Sequence, residues 1–223
     1  MQAESFHRLM KLLVDSGESK TLDDAIASFS RYGVRVVLGA DVANSRTLQT
    51  IALTVINTAA RSFQGNVQVI SSDDCKLIVN GYEGINLSDF ASWAGVRSDL
   101  IPSDFWPEIV IGRVSMPRDS SVLRPWAVGW TFGIGEVGES DDDALVPACI
   151  AAGSLAVSEA FSILRRDSPY AGRRDVTFSL WSMSAGAAQP SVEITVSRDI
   201  DIWLVGLGHL GQAYCWTLGL MRH

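Results

Sequence analysis

Residues 200 to 220 read IDIWLVGLGHLGQAYCWTLGL. An apolar strand pattern, Ile200 to Val205, runs into Gly206-Leu207-Gly208-His209-Leu210-Gly211, and a helical pattern, Gln212 to Leu220, follows at once. A G-x-G-x-x-G spacing is informative only between a strand and a helix, which is where it stands here. The first glycine permits the tight turn, the second lets backbone approach a phosphate, and the third lets helix and strand pack closely. The N–H groups left free at the helix start then face the anion. The stretch predicts a nucleotide-binding βα unit, with Gly206, Gly208, His209 and Gly211 as its binding residues.

Such a site is completed by an acidic residue about 20 positions further on, at the tip of a second strand. The sequence stops at His223. One strand and one helix do not make a core, so the expectation is a truncated second domain. Its tail would pack on the preceding domain or another subunit, or the natural polypeptide would continue.

Working outward, the chain has 223 residues, which at roughly 150 per domain is about one and a half domains. Hydrophobic residues make up 47% and charged residues 19%, enough to bury a sizeable core and too apolar for a disordered chain. Residues 1–32 carry two helical patterns, Glu4 to Asp15 and Leu22 to Tyr32, the second capped by Thr21 with Asp23 and Asp24 in its first turn. From Gly33 a β-branched run, VRVVLGADV, leads through Asn44 or Ser45 as cap into an amphipathic helix reaching about Phe63. Further strands are expected in Asn66 to Ser71, Lys76 to Asn80, Glu108 to Val114, Pro125 to Phe132 and Arg174 to Ser182. A long small-residue helix, Ala144 to Arg166, is expected to start from Ser140 behind Asp141, Asp142 and Asp143. Strands alternating with helices predict an α/β fold with a mostly parallel sheet. The Gly/Ala/Pro/Ser-rich stretch Ser184 to Ser191 is expected as the linker, dividing a helical preface (1–32), a first domain (33–185) and the start of a second (186–223).

Gly39-Ala40-Asp41-Val42-Ala43-Asn44 stands where the first strand-turn-helix would carry a phosphate loop, yet it keeps a single glycine. Asp41 would repel a phosphate; it is able to cap the helix or bind a metal. The first domain therefore reads as a nucleotide fold without its cradle.

Two stretches carry a resemblance. IWLVGLGHLGQAYCWTLGLM (202–221) resembles the opening strand, glycine loop and first helix of the adenylating domain of ThiF/MoeB/HesA-like proteins, the superfamily of ubiquitin-activating enzymes. PACIAAGSLAVSEAFSIL (Pro147 to Leu164) is similar to the small-residue helix of that superfamily, ending in Ser158-Glu159-Ala160-Phe161. The resemblance implies a Rossmann-like three-layer sandwich with a degenerate first domain. It implies ATP as the nucleotide and a ubiquitin-like or sulfur-carrier protein as substrate; the glycine spacing by itself leaves NAD(P) as the alternative. Only Gly206, Gly208 and Gly211 carry over as site residues; His209 stands where adenylating members have glycine or another small residue. The expectation is a catalytically incomplete protein or fragment that works by protein association and binds nucleotide weakly. The alternative is an adenylyltransferase, or a nicotinamide-dependent oxidoreductase, completed by missing sequence or a partner subunit. Unpaired edges and the orphan tail point to a homodimer.

The remaining candidates supply little chemistry. Cys75, Cys149 and Cys215 are odd in number and far apart, which suggests neither disulfides nor a zinc cluster and fits the cytoplasm. Cys149 and Cys215 are expected to be buried packing. His7, His209 and His223 offer no catalytic set, and Glu136, Glu139 and Asp141 to Asp143 read as a solvated helix start. A net charge of −7 argues against nucleic acid; Arg165-Arg166 and Arg173-Arg174 read as a helix end and a strand start. The longest apolar run, Ala148 to Val157, is too short to span a bilayer, so no membrane is expected.

Overall fold

The computed structural model describes residues 11, 13–114, 122–135, 140, 144–182 and 201–221. Helix α1 (Leu22–Phe29) begins as the sequence predicts, with the Thr21 hydroxyl accepting from the Asp24 N–H at 3.1 Å. It stops short of Tyr32 because Asn66 Nδ2 takes the carbonyls of Ser30 and Tyr32, each at 2.9 Å. The preceding helical turn packs Leu13 on Ala25 and Phe29; most of Glu4 to Asp15 lies outside the described residues.

Strand β1 (Val34–Leu38) leads through a 3-10 turn (Ala40–Asn44) into α2 (Arg46–Ser62) and β2 (Val67–Ser71). Ser45, not Asn44, caps α2, accepting from Leu48 N–H at 3.2 Å. The chain then crosses back through α3 (Leu87–Ala94) to β3 (Glu108–Ile111) on the other side of β1, and β4 (Val122–Leu123) follows. All four strands are parallel in the order β2-β1-β3-β4. The reversal of direction at β1 is the layout of a Rossmann-like α/β sheet, whose ligand crevice lies beyond the carboxyl ends of β1 and β3.

Helix α2 is the centre of the core. Twelve of its residues are buried, from Thr47 through Ile56 together with Ala59 and Ala60. Burial on every side puts threonines inside, and these are satisfied locally: Thr50 and Thr54 each donate to the carbonyl four residues back at 2.8 Å. Gln49 donates to the carbonyls of Ala43 and Lys76 at 3.2 Å each and accepts from Ile78 N–H at 2.7 Å.

That knot explains one departure from expectation. Lys76 to Asn80 is no strand; it makes a single bridge, Lys76 to Asn86, while Leu77 and Val79 bury into the core. Its apolar pattern reflects burial against α2 rather than sheet pairing. Helix α3, unanticipated, ends at Gly95, whose φ of 92° is left-handed.

The second half departs further. Pro125 to Phe132 splits into β5 (Pro125–Val128) and β6 (Thr131–Ile134), joined through Gly129 and Trp130. With β7 (Val176–Ser179) they form a separate antiparallel sheet, β5-β6-β7. A two-residue connection can only reverse the chain, so these strands could not extend the parallel sheet.

Between β6 and β7 runs α4 (Val146–Arg165). Ser140 does not cap it, because its hydroxyl accepts from the N–H of Ala127 in β5 at 3.1 Å; the helix starts at Leu145 with Pro147 in its first turn. Ala148, Ala152, Ala156 and Ala160 recur every four residues and are fully buried. This stripe lets α4 pack tightly on α2: a Cβ on Gly153 would lie 3.0 Å from the Ile51 carbonyl. The helix is long and apolar enough, by length and composition, to cross a membrane, but its small-residue face is occupied within the domain. Phe161 gathers Phe29, Tyr32 and Phe63 at 5.7 to 6.2 Å between ring centroids, which ties the preface to α4. Arg165 and Arg166 end the helix, and Arg173-Arg174 lead into β7, as expected.

Candidate nucleotide loop and its docking helix

The glycine loop opens helix α5 (His209–Leu220). Gly206 has φ +90°, a conformation that favours glycine. A Cβ on Gly211 would lie 2.4 Å from the Gly206 carbonyl, so the third glycine lets the helix start close against the first. Around Gly208, the helix N-cap, a Cβ would meet nothing within 4 Å, which leaves room on the face where a phosphate would approach. His209 is the first helical residue and is exposed. The structure places Gly206, Gly208, His209 and Gly211 in one turn at the start of α5.

The strand expected before the loop is not formed over its described residues, 201–205. Trp203 is 89% exposed and Val205 97%. A strand exists only where a neighbour takes its N–H and C=O groups, and no described strand lies against this run. Ile200 and the expected linker at Ser184 to Ser191 lie outside the described residues.

Although the loop is exposed, α5 is docked. Trp216 donates to the Thr54 hydroxyl of α2 at 3.1 Å, and its ring meets Tyr82 and Phe90 at 6.0 and 6.2 Å. Asn80 Nδ2 holds the carbonyls of Gly219 and Met221 at 3.2 and 2.8 Å, and Leu220 is buried. Arg61 donates to Gln212 Oε1 at 2.6 Å, and Gln212 Nε2 donates to the Leu207 carbonyl at 3.1 Å. Apart from the Gln212–Leu207 bond, these partners lie more than a hundred positions apart, which is why sequence reading missed them.

Beyond the ends of β1 and β3, the Asp41 carboxylate accepts from Arg113 N–H at 2.9 and 3.1 Å. Gly39 and Gly112 flank it so closely that a Cβ on either would fall 2.5 or 2.3 Å from Asp41 Oδ1. Asp41 thus caps the end of β3 rather than the helix.

Other singled-out residues carry less. Cys149 is buried as expected, but Cys215 is exposed, because its face of α5 turns away from α2. Burial pushes the half-buried Cys75 thiol above its ordinary range, which makes it a poorer nucleophile. His7, His223 and the acidic residues of 136–143 lie outside the described residues.

A family model for the BilD N-terminal domain matches residues 33–180. The chain belongs to the BilD family. The BilD match runs from the residue before β1 to the residue after β7, so the glycine loop and α5 lie outside it. Bacterial E1-like protein BilD of Collimonas sp. (strain OK412) is 30% identical over 232 residues, which cover 98% of this chain and 49% of that protein. The chain spans about half the length of this curated relative. No solved structure matches. The E1-like description of the relative agrees with the ThiF-like resemblance at the level of the superfamily.

Proposed function

We propose that this chain is an E1/ThiF-like module that is catalytically incomplete by itself and acts through protein association. The observation carrying this reading is Asp41 seated across the crevice between β1 and β3, on the Arg113 N–H. An internal carboxylate at that point uses the donor that a phosphate would need and repels the phosphate as well. The first domain then serves as scaffold, and nucleotide chemistry falls to the Gly206 loop. ATP is the expected nucleotide there and NAD(P) the alternative, bound weakly. The exposed run 201–207 beside the loop is the association surface, taken by a second copy or by the rest of an adenylating domain.

A second reading is favoured by the loop itself, in which Gly206 takes φ +90° and open space surrounds Gly208. In it the module is one half of an adenylyltransferase acting on a ubiquitin-like or sulfur-carrier protein in the cytoplasm. Calorimetric titration with Mg·ATP, paired with a pyrophosphate-exchange assay, tests the first reading. Weak binding without exchange is expected; tight binding coupled to exchange overturns it in favour of the second.

A further inference from the structure

The last glycine of the loop is followed by Gln212, whose side-chain amide is engaged at both ends. Its Nε2 donates to the carbonyl of Leu207, between the first two glycines, and its Oε1 accepts from Arg61 in the last turn of α2. An amide can turn over, exchanging donor and acceptor. A guanidinium has donors alone, so it must face the oxygen, which leaves the NH₂ group pointing at Leu207. We infer that Arg61 is a positioning residue for the glycine loop: by fixing Gln212 it holds the Leu207 carbonyl, so the BilD N-terminal domain shapes a nucleotide loop that lies outside it.

The physical need is clear from the loop's composition. Glycines lose the most backbone freedom on ordering, and Gly206 and Gly208 flank the tethered residue on either side. A carbonyl fixed beforehand removes part of that cost before any anion arrives. The support is rigid, since α2 is buried along most of its length. The Thr54–Trp216 and Arg61–Gln212 contacts set α5 antiparallel to α2, and Asn80 secures its far end. Arg61 is therefore the contact nearest the loop on a helix already aligned by the others. The relay acts on loop order rather than on stability, because its bonds are exposed.

This inference rests on reading the loop as nucleotide-facing, and the test separates the two. In the ¹⁵N-labelled 223-residue chain, backbone order and hydrogen exchange at residues 206–211 are compared for native protein, Arg61→Ala, Gln212→Ala and Arg61→Lys. Each is titrated with inorganic pyrophosphate. Arg61→Ala and Gln212→Ala should loosen the amides of Leu207, Gly208 and His209 alike, with residues 216–220 unchanged, and Arg61→Lys should restore most of the order. Pyrophosphate affinity should fall about tenfold in Arg61→Ala, the fold-change of one charge-assisted hydrogen bond. If loop order falls but pyrophosphate moves no loop amide in any form, the positioning role stands and the nucleotide reading fails. If Arg61→Ala leaves the loop as ordered as in the native chain, the positioning role is overturned, whether or not pyrophosphate binds.

Discussion

Replacing Gln49 by leucine tests the core at the point where it meets the candidate site. The side chain is 1% exposed and makes three hydrogen bonds to backbone: two from its amide to Ala43 and Lys76, one to its oxygen from Ile78. Leucine has a similar volume, so the change deletes polarity without opening a large cavity. It leaves the Ile78 N–H and two carbonyls without these partners. Each lost bond is worth about 1 kcal/mol net, and a buried group left unpaired costs about 1–3 kcal/mol. Better burial of an apolar side chain returns about 1–2 kcal/mol. Counting about 1 kcal/mol for each of the three bonds and about 1–2 kcal/mol for the one orphaned donor, the Ile78 N–H, less the return of about 1–2 kcal/mol, leaves a loss of about 3 kcal/mol, or about 6–12 °C in Tm for a chain of this size. Urea denaturation followed by tryptophan emission measures it, and an unchanged slope with denaturant would place the effect in the native state. A loss below about 1 kcal/mol would refute the reasoning, since water would then be reaching groups that the packing is said to seal. Gln49→Leu should also weaken the docking of α5, because Asn80 lies two residues beyond Ile78 and holds the carbonyls of Gly219 and Met221.

Three further outcomes follow from contacts described above. Trp216→Ala removes the ring packed on Tyr82 and Phe90 and the bond to Thr54; a half-buried tryptophan should cost about half of the 3–5 kcal/mol of a fully buried one, so limited proteolysis within residues 201–221 should quicken at least tenfold, and an unchanged cleavage rate would show that α5 is held elsewhere. Gly211→Ala should displace the amide resonances of residues 206–212, because its methyl would meet the Gly206 carbonyl, whereas Gly208→Ala, with open space and a φ of −68°, should leave them in place; equal shifts in both would remove the geometric argument. Arg165 hydrogen-bonds the Glu18 carboxylate and holds it below its ordinary value of 4.5. A carboxylate depressed in the folded state stabilises above its unfolded pKa, and that contribution is lost as pH falls through the folded one. Acid unfolding below about pH 4.5 should therefore flatten in Glu18→Gln, and an unchanged profile would count against the link.

Features set by neighbours in sequence were legible. Thr21 and Ser45 cap helices because a hydroxyl three residues ahead of a free N–H suffices, and the helix after the glycine loop starts where its pattern places it, close behind Gly208. Features set by distant partners were not. The run before the loop has every mark of a strand, yet strand is a relation to another strand, and residues 201–205 have none among those described. Lys76 to Asn80 shows the converse, since an apolar alternation can be buried by a helix and one glutamine. Ser140 had the chemistry of a cap but was closer to the Ala127 N–H than to the helix start. Asp41 stood out in the sequence as an acid in a glycine-poor turn, while its use of the Arg113 N–H required knowing that β3 returns beside β1.

The bare run ahead of the glycine loop also bears on how the molecule behaves in solution. Ile202, Trp203, Leu204, Val205 and Leu207 form an exposed apolar ribbon that begins beside Asp201. Segments of this kind recruit further copies of themselves, and a net charge spread over the remaining surface does little to stop a local template. Whatever covers the ribbon acts as a solubility device as much as a functional partner. The yield and shelf life of the purified chain would then report on occupancy of this surface before any assay of activity does.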